Sequence, residues 1–217
     1  MRGLLLTLEG IEGSGKTTQA RKIKALLDAQ GVPALLTREP GGSPIAEQIR
    51  DLVLVAREEP LAPQTELLLF LAARAQHVRQ VIRPALERGD IVVCDRFTDA
   101  TLAYQGGGRT MPDDFLRSLN DWAAGGICPS RTYLIDVPVE VGLARARSRR
   151  ARGEPDRIEA EGAAFFEGVR NRYLEAARRE PERIVVLRGT DPEEDISHQI
   201  GKDLSALLRG RNTPSPR

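Results

Sequence analysis

The chain of 217 residues carries 41% hydrophobic and 29% charged residues, with a formal net charge of +1. That length suits one domain with a real core, and the balance argues against a nucleic-acid coat or a membrane-surface protein. The opening apolar run stops at Glu9, too short for a signal core, and no later stretch approaches the ~20 apolar residues of a membrane span. Cys94 and Cys128 lack metal-type spacing and read as packing residues in a reducing, cytoplasmic compartment.

Residues 4–8 form an apolar run before a glycine-rich turn, the pattern of a buried strand leaving its sheet. Ala20, Ile23, Leu26 and Leu27 fall at helical spacing and predict a helix over 16–30, with Gly31 at its C-terminal cap. A second strand is expected over 32–37, ending in a Pro-Gly-Gly turn. Helices are expected over 45–55 and 64–88, the longer one kinked or shortened by Pro84. His77 lies on that helix with no partner the pattern names and reads as structural or exposed. Further strands are predicted over 90–95, 131–136 and 183–187, and helices around 138–150, 160–179 and 191–208. The tail, 210–217, lacks apolar content and is expected to be disordered. Strands alternating with helices imply an α/β domain over 1–209, its mostly parallel five-stranded sheet covered on both faces. Ligands bind such sheets beyond the carboxyl ends of the strands.

The first such end carries G-x-x-x-x-G-K-[ST] as Gly10, Ile11, Glu12, Gly13, Ser14, Gly15, Lys16 and Thr17, followed by Thr18. Between a strand and a helix this is a phosphate loop, the mark of a P-loop NTPase-type three-layer sandwich. Its backbone N–H groups cradle phosphates, Lys16 reaches the outer ones, and Thr17 would ligate Mg²⁺. The donor is thus a nucleoside triphosphate. No Asn-Lys-x-Asp guanine reader follows, and the chain has small-kinase size.

"TREPGG" over 37–42 sets Arg38 at the second strand end, and "CDRF" over 94–97 sets Asp95 and Arg96 at the third, a pairing suited to metal and phosphate together. The arginine-rich run over 144–161 breaks at Gly153-Glu154-Pro155, as a hinged lid over 145–158 would. The phosphate loop carries no arginine of its own, so this lid is the available source of transition-state charge.

Together with "FLAARAQ" and "AYQGGGR", these motifs, in this order and spacing, resemble bacterial thymidylate kinase over about 4–208. The resemblance implies transfer of a phosphoryl group from ATP to dTMP, with Mg²⁺, in a homodimer. It implies that Glu12 faces the acceptor sugar, which explains a carboxylate inside a phosphate loop. Arg38 and Arg96 would grip the acceptor phosphate, with Glu39 and Pro40 beside them, and Asp95 would organise Mg²⁺. Phe70 would stack on the base, Arg74 read a base carbonyl, Thr101 and Gln105 line the base edge, and Tyr104 crowd the 2′ position. Arg152 is the first choice among lid arginines for the transferred group, supported by Arg150 and Arg157. Phe97, Ala100 and Ser130 depart from the family pattern. The rivals are a kinase of another nucleotide or nucleoside, and a nucleotide-binding regulator without catalysis.

Overall fold

The computed structural model describes residues 3–55, 58–149 and 156–212. Its centre is a sheet of β1 (Leu4–Glu9), β2 (Ala34–Arg38), β3 (Ile91–Asp95), β4 (Arg131–Asp136) and β5 (Ile184–Arg188) in the order β2-β3-β1-β4-β5. Every pairing is parallel, with Leu6 opposite Val93 on one side of β1 and opposite Arg131 on the other. Strand alternation divides the core. Leu6 and Leu8 pack with Ile23 and Leu27 of α1 (Lys16–Ala29) and Ile196 and Ile200 of α9 (Glu193–Asn212). Leu5, Val92 and Cys94 point to the other face, against Val78, Ile82 and Phe97.

The remaining helices are α2 (Pro44–Leu54), α3 (Pro63–His77), α4 (Arg83–Arg88), α5 (Thr98–Thr101), α6 (Asp113–Ala124), α7 (Val139–Arg149) and α8 (Ala163–Arg179). The long helix expected over 64–88 is interrupted by a π-helical stretch, Val78–Ile82, immediately before Pro84. Proline lacks an N–H and its ring crowds the carbonyl four residues back, so the widened turn takes up the clash without breaking the rod. A second π-helical stretch, Leu102–Gly108, continues α5.

Residues 98–124 carry two helical elements that hydrophobic spacing did not predict. The first is rich in glycine because it lies hard against α8: a Cβ on Gly107 would stand 2.4 Å from the Gly168 carbonyl oxygen. The second had local signals, Asp113 and Asp114 in its first turn and Gly125 at its C-cap with φ 57. α9 runs on to Asn212 instead of stopping at 208, with Leu207 and Leu208 packed on the core; the rest of the tail expected to be disordered, 213–217, lies outside the described residues. Cys94 is buried as expected, whereas Cys128 is exposed.

Candidate active site

β1 ends at Glu9 and α1 begins at Lys16, and the loop between them turns through Gly10, Gly13 and Gly15, all at positive φ. Gly13 is required twice over. Its φ is 72, and a Cβ there would stand 2.0 Å from the Gly142 carbonyl oxygen of α7. Lys16 is buried, and its Nζ donates to the loop's own Ile11 carbonyl at 2.7 Å. Burial, aided by the Arg96 charge, pushes the Lys16 ammonium down to about 8 against the pull of Glu12 and Asp95. Thr17 and Thr18 are exposed at the mouth of α1, where the Thr17 hydroxyl donates to Asp95 Oδ2 at 2.5 Å.

Arg96 is the hub between this loop and the rest of the site. It sits at φ 71, a conformation that a non-glycine residue adopts only when its surroundings hold it. Its Nη1 donates to the Gly10 carbonyl at 3.0 Å and lies 3.4 Å from the Tyr173 hydroxyl. Nη2 donates to Glu12 Oε1 at 2.6 Å, and the guanidinium lies over the Tyr104 ring at 4.9 Å. Tyr104 also donates its hydroxyl to Glu12 Oε1 at 3.1 Å. The carboxylate inside the phosphate loop therefore turns away from the anion cradle, toward Arg96 and Tyr104.

Beneath Arg96 lies Glu9, fully buried, accepting from the Phe97 N–H and from the Tyr173 hydroxyl, both at 2.7 Å. Burial, then repulsion from Asp99, pushes its carboxyl up to about 8 from an ordinary 4.5, against the attraction of Arg96. Between those pH values the native state holds a proton that the unfolded chain releases, so stability falls as pH rises through that window. Glu9→Gln removes the titration. Its unfolding free energy is expected to vary less between pH 5 and 8 than that of the wild type, the difference reaching on the order of a few kcal/mol. Calorimetric melts across that range would decide it, and parallel curves would refute a proton held on Glu9.

The acceptor side is a cleft lined by Glu39, Pro40, Phe70, Arg74, Thr101, Tyr104 and Gln105, among others, which meets the phosphate-loop cleft at Glu12, Glu39, Arg50, Arg96 and Asp156. Arg74 is almost wholly buried and engaged through four of its five N–H groups: Nε donates to Glu39 Oε2 at 2.7 Å, Nη1 to Thr101 Oγ1 at 2.8 Å and to Asn120, Nη2 to the Phe97 carbonyl at 2.8 Å. The Phe97 ring lies 5.3 Å from the Arg74 guanidinium, so this departure from the family pattern supports the base pocket from below. Ala100 lines the pocket, while Ser130 is exposed and outside both clefts.

The sequence profile of the thymidylate kinase family matches residues 8–200. The chain belongs to the thymidylate kinase family. It is 51% identical to the thymidylate kinase of Pseudomonas putida strain GB-1 over 210 residues, 97% of each chain. With that of strain W619 it shares 52% over 205 residues, 94% of this chain and 98% of the other. The solved thymidylate kinase of Ehrlichia chaffeensis superposes with a TM-score of 0.75 at 32% identity, covering 94% of this chain and 99% of that one. The α/β sandwich is accordingly the thymidylate kinase fold, and the chain is an enzyme of that class.

In this thymidylate kinase fold the expected residues converge unevenly. Arg38 reaches the phosphate-loop cleft but is half exposed, with Nη2 donating to Glu47 at 2.8 Å. Arg157 faces neither cleft. Its Nε donates to the Val53 carbonyl at 3.0 Å and its Nη2 lies 2.7 Å from Glu66, so it ties the base of the expected lid to α2 and α3. Arg150 and Arg152 lie outside the described residues. Sequence reading missed Tyr173, Asn120, Arg50, Glu66 and the role of His77. His77 is wholly buried, with Nε2 at 2.7 Å from the Thr37 hydroxyl and Nδ1 at 3.1 Å from Glu39, so it holds the "TREPGG" turn against α3. Among the described residues no cluster of three His, Cys, Asp or Glu could hold a metal, and no helix is long and apolar enough to cross a membrane.

Proposed function

We propose that this thymidylate kinase-family enzyme transfers the γ-phosphoryl group of ATP to the 5′-phosphate of dTMP, giving dTDP and ADP. One observation carries the reading: Glu12 leaves the phosphate cradle to meet Arg96 and Tyr104, so the donor loop and the acceptor cleft share one charged wall. Gly10, Ile11, Glu12, Gly13, Ser14, Gly15, Lys16, Thr17 and Thr18 form the donor loop, and Lys16 exchanges the Ile11 carbonyl for a phosphate oxygen. Arg96 and Arg38 hold the acceptor phosphate, so the reacting oxygens meet in line. Phe70 supplies the base platform, Arg74, Thr101 and Gln105 the base edge, and Tyr104 the wall against a 2′-hydroxyl. Arg150 and Arg152 supply charge from the lid, and Arg157 anchors its base.

Mg²⁺ fits the donor set. It takes a few protein oxygens and completes its shell with water and phosphate, and the hydroxyl–carboxylate pair of Thr17 and Asp95 beside Lys16 offers that. Bound there, it would neutralise charge on the phosphates. Leu68 on α3 with Phe115 and Trp122 on the adjoining α6 are large exposed apolar residues, which supports a homodimer through these helices that sedimentation would reveal. The free thiols accord with a cytoplasmic enzyme.

ADP release from ATP, compared across dTMP, dUMP, AMP, CMP, GMP, UMP and thymidine, tests the reading. Selective turnover of dTMP is expected. Preference for another acceptor would overturn the base-pocket assignments, and intact ATP binding without turnover would favour the regulator.

A further inference from the structure

Glu66 on α3 is buried, 1% exposed, and lines neither cleft. Gln105 Nε2 donates to its Oε1 at 2.8 Å. Arg109 donates through Nε to Oε1 at 3.3 Å and through Nη2 to Oε2 at 3.0 Å. Arg157 Nη2 adds a charge at 2.7 Å without an aligned hydrogen bond. Burial alone would raise the Glu66 carboxyl, but Arg109, with Arg157 and Gln105, outweighs it and holds the group below its ordinary range.

An ionised carboxylate only accepts, and a carboxamide has one donating end and one accepting end. The Gln105 amide therefore cannot turn round: its NH₂ is committed to Glu66, and its carbonyl oxygen remains for the cleft that Gln105 lines. Arg74 lines the same cleft and keeps one Nη2 N–H beyond those given to Glu39, Thr101, Asn120 and Phe97. A donor beside an acceptor complements a pyrimidine with a carbonyl next to an N3–H, as in thymine or uracil. A cytosine-type base offers an amino group and a bare N3, and its N3 lone pair would face the Gln105 oxygen. A buried acceptor left opposing another acceptor costs binding out of proportion to the small change in shape.

We propose that Glu66 is the positioning residue that sets base specificity, by anchoring the Gln105 amide so that its carbonyl receives the N3–H of the acceptor base. The inference rests on dTMP as acceptor. It also gives a reason for a carboxylate with two arginines outside the pocket, since the arginines keep it ionised and so keep the amide one way round.

The test is Glu66→Gln, assayed with dTMP and with 5-methyl-dCMP, which has nearly the same shape but the opposite hydrogen-bonding edge. The new amide can donate to the Gln105 carbonyl and let Gln105 turn its NH₂ to the base. The ratio of kcat/KM for dTMP over 5-methyl-dCMP is expected to fall about tenfold or more, with KM for ATP near wild type. In a Gln105→Ala background the same substitution should leave the ratio unmoved, because the two residues act as one unit. Glu66→Asp, which keeps the charge but draws back from the amide, should lower the ratio and stands in if Glu66→Gln fails to fold. An unchanged ratio in a folded Glu66 variant would overturn the proposal, as would an equal fall in the Gln105→Ala background. A wild-type enzyme that does not phosphorylate dTMP would remove the acceptor reading and this inference with it, an outcome distinct from normal dTMP turnover with an unmoved ratio.

Discussion

Arg96→Lys is expected to lower kcat with ATP and dTMP about 10³-fold while leaving the affinity for ATP within a few-fold, in line with the weight an arginine carries in phosphoryl transfer. The substitution keeps the charge and the backbone requirement, because lysine meets the same cost as arginine at φ 71. What it removes is the planar fork. One guanidinium now spans the Gly10 carbonyl, the Tyr173 hydroxyl and Glu12 while covering the Tyr104 ring, and a lysine ammonium on its flexible stem cannot hold those directions together. Arg96→Ala goes further by removing the Arg96–Glu12 ion pair and is expected to lose stability as well. Steady-state kinetics with calorimetric ATP binding would separate the cases. A fall in kcat and in kcat/KM together marks an interaction made in the transition state, whereas a rise in KM for dTMP with kcat intact would reduce Arg96 to a grip on the acceptor.

The parts of this site that a reader finds in the sequence are those whose physics is local. A parallel strand buried on both faces must be an apolar run, and a phosphate loop must carry its glycines and lysine in a fixed order, so β1, β3 and residues 10–17 stand out without tertiary information. The supports of the site are different in kind. Arg74 is held by Glu39, Phe97, Thr101 and Asn120, which arrive from three segments, and no spacing rule joins those segments. Tyr173 looks like one more apolar position of α8 until the fold brings its hydroxyl onto Glu9, 164 residues away. Glycines at 106–108 give no helical signal, because helix propensity is poor there; their real constraint is the close approach of α8. Arg157 is another case where tertiary context decides. An arginine run with a central break predicts a lid, but which arginine faces phosphate depends on where α2 and α3 end, and Arg157 meets their polar groups first.

Lys16→Met should separate stability from chemistry. Burial holds the Lys16 ammonium down at about 8 against an ordinary 10.5, so at pH 7 the folded state carries a charge it would sooner not bury. The native state binds fewer protons than the unfolded chain between those values, and stability rises as pH climbs through them, with the full penalty present below pH 8. Methionine fills the same channel without a charge. The variant also gives up the bond to the Ile11 carbonyl, which is worth about 1 kcal/mol net, against roughly 1–3 kcal/mol of relieved desolvation. Its thermal midpoint without nucleotide is therefore expected to equal or exceed that of the wild type at pH 7, and the gap should close toward pH 10. Activity should move the other way. The loop keeps its backbone N–H groups but loses the point charge aimed at the phosphates, so kcat is expected to fall about 10²–10³-fold, as when one preorganised donor is removed from a developing charge. Melting curves with and without ATP alongside initial rates would test both halves. A variant that melts well below the wild type would mean that the Ile11 contact outweighs the buried charge, and a kcat near wild type would mean that Arg96 and the backbone N–H groups suffice to hold the donor.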